Sequence, residues 1–295
     1  MRIFIKQPLC IHEKGKRQNQ EDSVFPPDGI VTIDDRLFMV CDGMGGHEHG
    51  EVASRVVCDV LSVYLKEHWD GSRLMDDLLQ DAIDEVFRQI NAFDDGTVKR
   101  MGTTLTLLCL HQGGATMAHI GDSRIYHIRP NERRILYKSR DHSLVYDLFM
   151  AGEIKQEEMD AYPRKNVITR AVMPGLERQP KADIVHTTDI LSGDFFILCS
   201  DGILEQMSDR ALVALLASGM TDAEIRQRLI EVTKDNKDNH SAWLVRVDRV
   251  EPEAGDESLL HDEDKARSNA LLWEKQPTVT EKEPSFWEKV KSLFN

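Results

Sequence analysis

Six acidic residues stand at the ends of predicted strands or in turns, several of them followed by glycine, asparagine or serine. They are Glu21, Asp22, Asp42, Asp122, Asp201 and Asp238. If these side chains meet, they form a pocket lined by oxygen whose negative charges raise one another's pKa. Hard divalent cations relieve that repulsion, and oxygen ligands select Mg²⁺ or Mn²⁺ over Zn²⁺. Two such ions polarise a phosphoryl oxygen and make hydroxide from a bridging water, and Arg17 would supply the fork-shaped donor that holds a phosphate.

The segment from Leu37 to Ser54 illustrates how one of these acids is placed. Its first five residues are a short apolar run that is typical of a buried strand, and Asp42 follows directly. Three of the next four residues are glycines, which allow positive φ and a close approach of backbone to a ligand. From Gly50 onward the apolar spacing indicates a helix. The carboxylate is therefore well placed for a ligand, and a plain glycine-rich connection is the alternative.

Three other kinds of site fit the sequence less well. A dinucleotide fingerprint fails because Glu48 stands where its third glycine belongs, and no G-K-[ST] marks a P-loop. His47 and His49 are two residues apart, so they do not share a helical face, and a single-site zinc centre is disfavoured. The run 141–143 (Asp-His-Ser) is too local to be a catalytic triad, and no G-x-S-x-G is present.

The composition restricts the class of protein. A chain of 295 residues with 41% hydrophobic and 30% charged residues fits a soluble globular protein with a substantial core. The net charge of -14 argues against general nucleic-acid binding. The five cysteines are dispersed, without a C-x-x-C, and are interpreted as reduced core thiols of a cytosolic protein. No apolar run approaches the ~18 residues of a membrane span, so we expect a cytoplasmic protein without one.

Helices in pairs alternate with runs of antiparallel strands, which favours an α+β layered sandwich over a parallel sheet. The predicted strands are Arg2 to His12, Ile30 to Asp35 (a weak strand and turn), Leu37 to Cys41, Gly102 to His111, Ala115 to Ile120, Ile125 to Arg129, Arg133 to Lys138, Asp194 to Cys199 and Ser241 to Val250. The predicted helices are one that begins near Gly50, Arg73 to Phe93, Leu144 to Ala151, Asp209 to Ala217 and Asp222 to Val232.

The composition changes after Val250, which predicts a domain over 1–250 and a separate C-terminal part over 251–295. That part begins as an acidic linker and ends in a segment in which Ser285 and Glu288 fit a capping box. Phe286, Val290 and Leu293 then form an apolar face. A helix this short has marginal stability when isolated in water. We therefore expect it to dock on its own domain, on a partner protein or, less favoured, on a membrane interface.

Eight short motifs resemble those of the bacterial type 2C metal-dependent serine/threonine protein phosphatases, and they occur in the same order. They are Arg17 with Glu21-Asp22, Asp42-Gly43-Met44-Gly45-Gly46-His47 with Gly50-Glu51 and Ala53-Ser54, Gly102-Thr103-Thr104, Gly121-Asp122-Ser123-Arg124, Asp141-His142-Ser143, Ile168-Thr169-Arg170-Ala171, Ser200-Asp201-Gly202 and Asp238-Asn239. The resemblance covers about Ile11 to Val247.

The resemblance implies a four-layer α/β/β/α sandwich with two central antiparallel sheets and a metal centre at one edge. It implies that Asp42 bridges two Mn²⁺ or Mg²⁺ ions, that the Gly43 carbonyl joins it, and that Asp201 and Asp238 complete one site. Asp235 also begins an Asp-Asn pair, but Asp238 has the expected spacing to the closing strand.

Further roles follow from the same resemblance. Glu21 and Asp22 would act mainly through metal-bound waters, and Asp122 would help to hold a weaker third ion. This chain departs from the family pattern at Met44, where some relatives carry a histidine thought to protonate the leaving group. Water and His47 are therefore the candidate proton donors in this chain. The run ITRAVMPG, 168–175, also differs from the usual pattern, beside a flap from Leu144 to Asn166 that bears on substrate choice.

The implied function is hydrolysis of phosphoserine or phosphothreonine on proteins, opposing a serine/threonine kinase. Water or hydroxide that bridges two Mn²⁺ or Mg²⁺ ions is the nucleophile, and no covalent enzyme intermediate forms. The implied catalytic residues are Arg17, Asp42, Asp201 and Asp238. A non-catalytic pseudophosphatase that binds phosphoproteins, and a small-molecule phosphomonoesterase on the same scaffold, are the alternatives.

Overall fold

The structure is a computed structural model that describes residues 1–45, 50–92, 101–159, 161–164 and 166–252. Its strands are β1 (Arg2–Ile5), β2 (Leu9–Glu13), β3 (Ser23–Phe25), β4 (Leu37–Cys41), β5 (Gly43–Met44), β6 (Gly102–Thr103), β7 (Leu105–His111), β8 (Gly114–Ile120), β9 (Arg124–Arg129), β10 (Arg134–Lys138), β11 (Asp183–Thr187), β12 (Phe195–Cys199) and β13 (His240–Glu251). Its helices are α1 (Gly50–His68), α2 (Asp76–Asn91), α3 (Leu144–Met150), α4 (Gln156–Met159), α5 (Asp201–Leu204), α6 (Asp209–Leu216) and α7 (Asp222–Thr233).

Two antiparallel sheets form the centre of the fold. One has the order β1-β13-β12-β9-β10, with β2 also paired to β13, and the other has the order β11-β8-β7-β4-β3. Apolar side chains from both sheets form one buried cluster, in which the rings of Phe38 and Trp243 meet edge to face at 5.6 Å. Because alternate residues of a strand face opposite sides, the outward-facing positions need helices to cover them.

Helices cover both outer faces. Leu61 of α1 and Phe87 of α2 pack in a buried cluster with Met39 of β4, and Leu212 of α6 and Leu229 of α7 pack on the other sheet. The spacing of buried residues on α2 shows why it lies there, since they recur every three or four positions. The expected four-layer α/β/β/α sandwich with two central antiparallel sheets is therefore confirmed.

Three predicted strands differ from the structure. The run from Gly102 to His111 forms β6 and β7, which lie in different sheets. The run from Arg2 to His12 forms two strands rather than one, because Pro8 interrupts it and has no N–H to give to a ladder. Both strands pair with β13, through Ile5 opposite Val247 and Leu9 opposite Leu244.

The segment from Ile30 to Asp35, predicted as a weak strand and turn, forms the turn but no strand. The carboxylate of Asp35 accepts hydrogen bonds from the backbone N–H and the hydroxyl of Thr32, at 2.6 and 3.0 Å, and these close the segment into a turn.

The last strand runs to Glu251, where it pairs with Arg2. Residues 253–295 lie outside the described part of the chain, so the separate C-terminal part and its docking stay predictions. Within the described residues, no helix is both long enough and apolar enough to cross a membrane.

Candidate active site

The structure brings five of the predicted acids into one cluster. Asp22 precedes β3, Asp42 follows β4, Asp122 lies between β8 and β9, Asp201 begins α5 after β12, and Asp238 lies just before β13. The pKa of Asp42 is raised well above its usual value, first by burial and then by the negative charges of the other four. Sequence positions nearly 220 residues apart therefore share one electrostatic environment.

Burial raises the pKa of Asp22 and of Asp122 to about 7. Burial also raises the pKa of Asp201 to about 6, and the charge of Asp238 adds to the effect. Carboxyl groups with such pKa values repel one another when ionised, so the cluster is most stable with bound protons or cations.

The Gly-Thr-Thr motif holds the backbone at Asp42. The N–H of Asp42 donates to the hydroxyl of Thr104, at 2.9 Å. The carbonyl of Asp42 accepts from the hydroxyl of Thr103 and from the backbone N–H of Thr104, both at 2.9 Å. Every backbone polar group of Asp42 is thus satisfied by this motif, which leaves the carboxylate free to face the cluster.

Gly43 allows two segments to approach each other. Its N–H donates to the carbonyl of Glu21 at 3.1 Å, and a Cβ at this position would collide with the carbonyl oxygens of Glu21 and Gly50. The hydroxyl of Ser54, on α1, donates to the same Glu21 carbonyl at 2.6 Å. The glycine turn therefore packs the start of α1 against the acid-bearing loop, so at Gly43 the close approach is to another segment of the chain.

Arg17 reaches the cluster from this loop. Its Nη2 lies 2.7 Å from Oδ2 of Asp238, and this hydrogen bond raises the pKa of the guanidinium. The Arg17 side chain is 51% exposed, so a ligand in solution can reach it. Asp235, the other acid of an Asp-Asn pair, is instead 78% exposed and lies 3.5 Å from Lys16. Arg17 and Asp238 thus lie together at the site, and Asp235 does not join them.

Asn239 has a role that sequence reasoning did not assign. Its Oδ1 accepts from the N–H of Glu21 at 2.8 Å, and its Nδ2 donates to the carbonyls of Lys14 and Asn19 at 2.8 and 3.0 Å. The amide therefore fixes both ends of the loop that carries Arg17. The only sequence signal was its place directly after Asp238.

The donor set fits hard divalent cations. Ser200 donates its hydroxyl to Oδ2 of Asp22 at 2.9 Å, whereas Oδ1 of the same carboxylate is buried without a hydrogen-bond partner among the described residues. A buried carboxylate oxygen without a partner is costly unless a cation or water satisfies it. The cluster consists of carboxylates, the ligands that Mg²⁺ and Mn²⁺ prefer.

Met44 does not serve as the proton donor to the leaving group. Met44 is half-buried and pairs with Gly102 across β5 and β6, and its thioether cannot give up a proton. His47 lies outside the described residues.

Comparisons with known proteins agree with this geometry. A family model described as Protein phosphatase 2C matches residues 12–246. The serine/threonine phosphatase stp of Listeria monocytogenes is 33% identical over 220 residues, which cover 72% of this chain and 84% of that protein.

Solved structures show the same fold. The serine/threonine phosphatase PstP/Ppp of Mycobacterium tuberculosis superimposes with a TM-score of 0.71 at 30% identity, covering 84% of this chain and 100% of that one. A catalytic domain of PstP in complex with two manganese ions gives a TM-score of 0.68 at 29% identity, with the same coverage. The family model spans most of the chain, and the fold and acid cluster agree with it, so the chain belongs to the protein phosphatase 2C family of bacterial metal-dependent serine/threonine phosphatases.

Proposed function

We propose that this chain hydrolyses phosphoserine and phosphothreonine on cytoplasmic proteins and opposes a serine/threonine kinase. The observation that carries the proposal is the convergence of five buried or half-buried aspartates, from five separate segments, beside the accessible guanidinium of Arg17. An acidic pocket alone would repel a phosphate, so this arrangement suits a phosphoester only when cations are held between them. Relatives named as serine/threonine phosphatases support the substrate class.

The residues divide into those that hold cations and one that holds phosphate. We assign Asp42, the Gly43 carbonyl, Asp201 and Asp238 to two tightly bound Mn²⁺ or Mg²⁺ ions. When bound, two such ions supply the Lewis acidity that polarises a phosphoryl oxygen and activates the attacking water. Arg17 donates its N–H fork to the phosphate and orients it for in-line attack.

The remaining acids act at the periphery of the cluster. We assign Glu21 and Asp22 to contacts that run mainly through water, and Asp122, together with Asp201, to a weaker third ion. The unpartnered oxygen of Asp22 is consistent with such a contact, because it is buried and still needs a donor or a cation.

One experiment separates the proposal from its rivals. Turnover of a phosphothreonine peptide and of free small phosphoesters is measured with Mn²⁺, with Mg²⁺ and with EDTA. We expect hydrolysis of the peptide to require the metal and to be faster than hydrolysis of the small esters. Binding of the peptide without turnover would indicate a pseudophosphatase, and a preference for small esters would indicate a phosphomonoesterase.

A further inference from the structure

A second group of ionisable side chains lies beside the aspartate cluster. His119, His142 and Asp183 place potential ligand atoms within 4.8 Å of one another. His142 is the central member, since its ring stacks on that of His119 with centroids 4.6 Å apart and its Nε2 lies 3.2 Å from Oδ2 of Asp183. The sequence motif Asp-His-Ser that contains His142 has no part in the function proposed above.

The hydrogen bonds of His142 argue against a metal site in this group. The backbone N–H of Gly121 donates to Nδ1 of His142 at 3.0 Å, so Nδ1 carries no proton. A neutral imidazole then has its proton on Nε2, which faces Oδ2 of Asp183 at 3.2 Å and also lies 3.3 Å from Nη1 of Arg170, so neither ring nitrogen offers a lone pair to a cation. Arg170 also lies here, 3.0 Å from Oδ1 of Asp183, and adds a positive charge that disfavours a cation. Burial lowers the pKa of His142 to about 4, which keeps the ring neutral.

His142 instead forms hydrogen bonds with both backbone polar groups of Gly121. Besides the ring contact to the Gly121 N–H, the backbone N–H of His142 donates to the Gly121 carbonyl at 2.9 Å. Gly121 has φ of +107°, and a Cβ there would lie 2.6 Å from the side chain of Thr104, so only glycine fits. Glycine has the least restricted backbone, so its conformation depends on such contacts.

The next residue after Gly121 is Asp122, whose charge acts on Asp42 in the cluster. The direction of the Asp122 side chain is set by the peptide that precedes it. We propose that His142 is a positioning residue for the phosphatase reaction, which fixes the Gly121 peptide and thereby places Asp122 in the acidic cluster. The inference rests on the proposed function only for its effect on turnover.

The same residue is joined to the predicted flap. The carbonyl of His142 accepts from the N–H of Thr169 at 2.8 Å, Ser143 forms a bridge with Ile168, and the N–H of Leu144 donates to the carbonyl of Val167 at 2.8 Å. Both ends of the segment between 144 and 167 are therefore anchored at His142. One residue, His142, therefore bonds the chain just beyond this segment through its backbone carbonyl and Gly121 through its ring and backbone N–H.

Two matched variants test the proposal. In His142→Asn the side-chain oxygen lies near the position of Nδ1 and can still accept from Gly121. In His142→Gln the amide reaches the position of Nε2 and can bond Asp183, but it leaves the Gly121 N–H without its acceptor. We expect Gln to lower kcat about tenfold while KM changes less than threefold, and Asn to stay close to wild type.

A second readout needs neither metal nor turnover. In the EDTA-treated protein, amide hydrogen exchange at Gly121 should be about tenfold faster in the Gln variant and unchanged in the Asn variant. The proposal is overturned if the Gln variant keeps the wild-type exchange rate and kcat. It is also overturned if the Asn variant shows faster exchange and a lower kcat while the Gln variant does not. If neither variant folds, ¹⁵N NMR of the wild-type ring decides, because a protonated Nδ1 overturns it and a protonated Nε2 supports it. A wild-type protein without phosphatase activity would refute the proposed function but leave the exchange test in force.

Discussion

The proposed role of Arg17 makes a quantitative prediction. Asn239 fixes the loop that carries Arg17, and Nη2 of Arg17 lies 2.7 Å from Asp238, so the guanidinium stands beside the cluster before any substrate arrives. Its remaining N–H groups can donate to a phosphate. A charge-assisted hydrogen bond is worth about 1.5–3 kcal/mol, so Arg17→Ala should raise KM for a phosphothreonine peptide by about ten- to a hundredfold. Because the lost contact is made in both the bound and the transition state, kcat should change less.

The assay must separate phosphate binding from metal binding. Arg17 also neutralises Asp238, so its removal changes the charge that a cation meets. Steady-state kinetics are therefore measured at saturating Mn²⁺, and Mn²⁺ affinity is measured separately by calorimetry. Arg17→Lys keeps the charge but loses the fork, and we expect a KM between those of the wild type and the alanine variant.

Lys16→Ala supplies the matched control. Lys16 is the neighbouring cation, 60% exposed, and it faces Asp235 at 3.5 Å, away from the cluster. Exposed ion pairs of this kind contribute little, so KM should stay at the wild-type value. An unchanged KM in Arg17→Ala would remove Arg17 from the site. An equal rise in both variants would mean that general positive charge, and not a directed contact, attracts the substrate.

The other predictions concern the metals, the core and the C terminus. Asp42→Asn and Asp201→Asn should each lower turnover by orders of magnitude and weaken Mn²⁺ binding in calorimetry, with unchanged circular dichroism; full activity in either would refute its assignment. Asp194→Asn should lower the free energy of unfolding by about 3 kcal/mol in urea at pH 7, because the buried Asp194 carboxylate is hydrogen-bonded to Arg129 and His127, whereas Asp189→Asn, at a position 54% exposed, should change it little. Hydrogen bonds from His127 and Arg129 lower the pKa of Asp194, so its stabilisation is present above the unfolded value of 3.8 and is lost as pH falls through the lower folded value. The difference in stability between Asp194→Asn and the wild type should therefore shrink as the pH falls below 3.8. Removal of residues 253–295, after the β13 strand that ends at Glu251, should leave turnover of a short phosphopeptide intact, and unfolding of the truncated protein would contradict the separate C-terminal part.

Where local patterns predicted an element, its bounds mostly agree within one or two residues, whereas β3, β5, β11, α4 and α5 were not predicted. The strand from Leu37 to Cys41 is as expected, and the helix predicted from Asp222 to Val232 ends at Thr233. Both have strong local signals, an apolar run in one case and a Thr221–Glu224 capping box in the other. The error at Arg2 to His12 had a visible cause in Pro8, which periodicity alone did not weigh.

The candidate site was less accessible to such reasoning. The position of each acid at a strand end could be seen locally, but their meeting depends on how two sheets are ordered, and only the resemblance to a family supplied that. His142 shows the limit most clearly. Its motif is too local to be a catalytic triad, and its contacts are with Gly121 and Asp183, which lie 21 and 41 residues away in the sequence.

The strand register explains why the cluster needs cations. Ser23 pairs with Cys41 across β3 and β4, so Asp22 and Asp42 stand opposite each other where the two strands end. Like charges in directly opposed positions destabilise a sheet, and burial makes the repulsion stronger. Ser200 satisfies only one oxygen of the Asp22 carboxylate, and the other is buried without a hydrogen-bond partner among the described residues. Such an arrangement destabilises the fold unless cations are bound. Relief of the repulsion between the carboxylates contributes to the binding free energy of the cations, and their binding in turn stabilises the folded state.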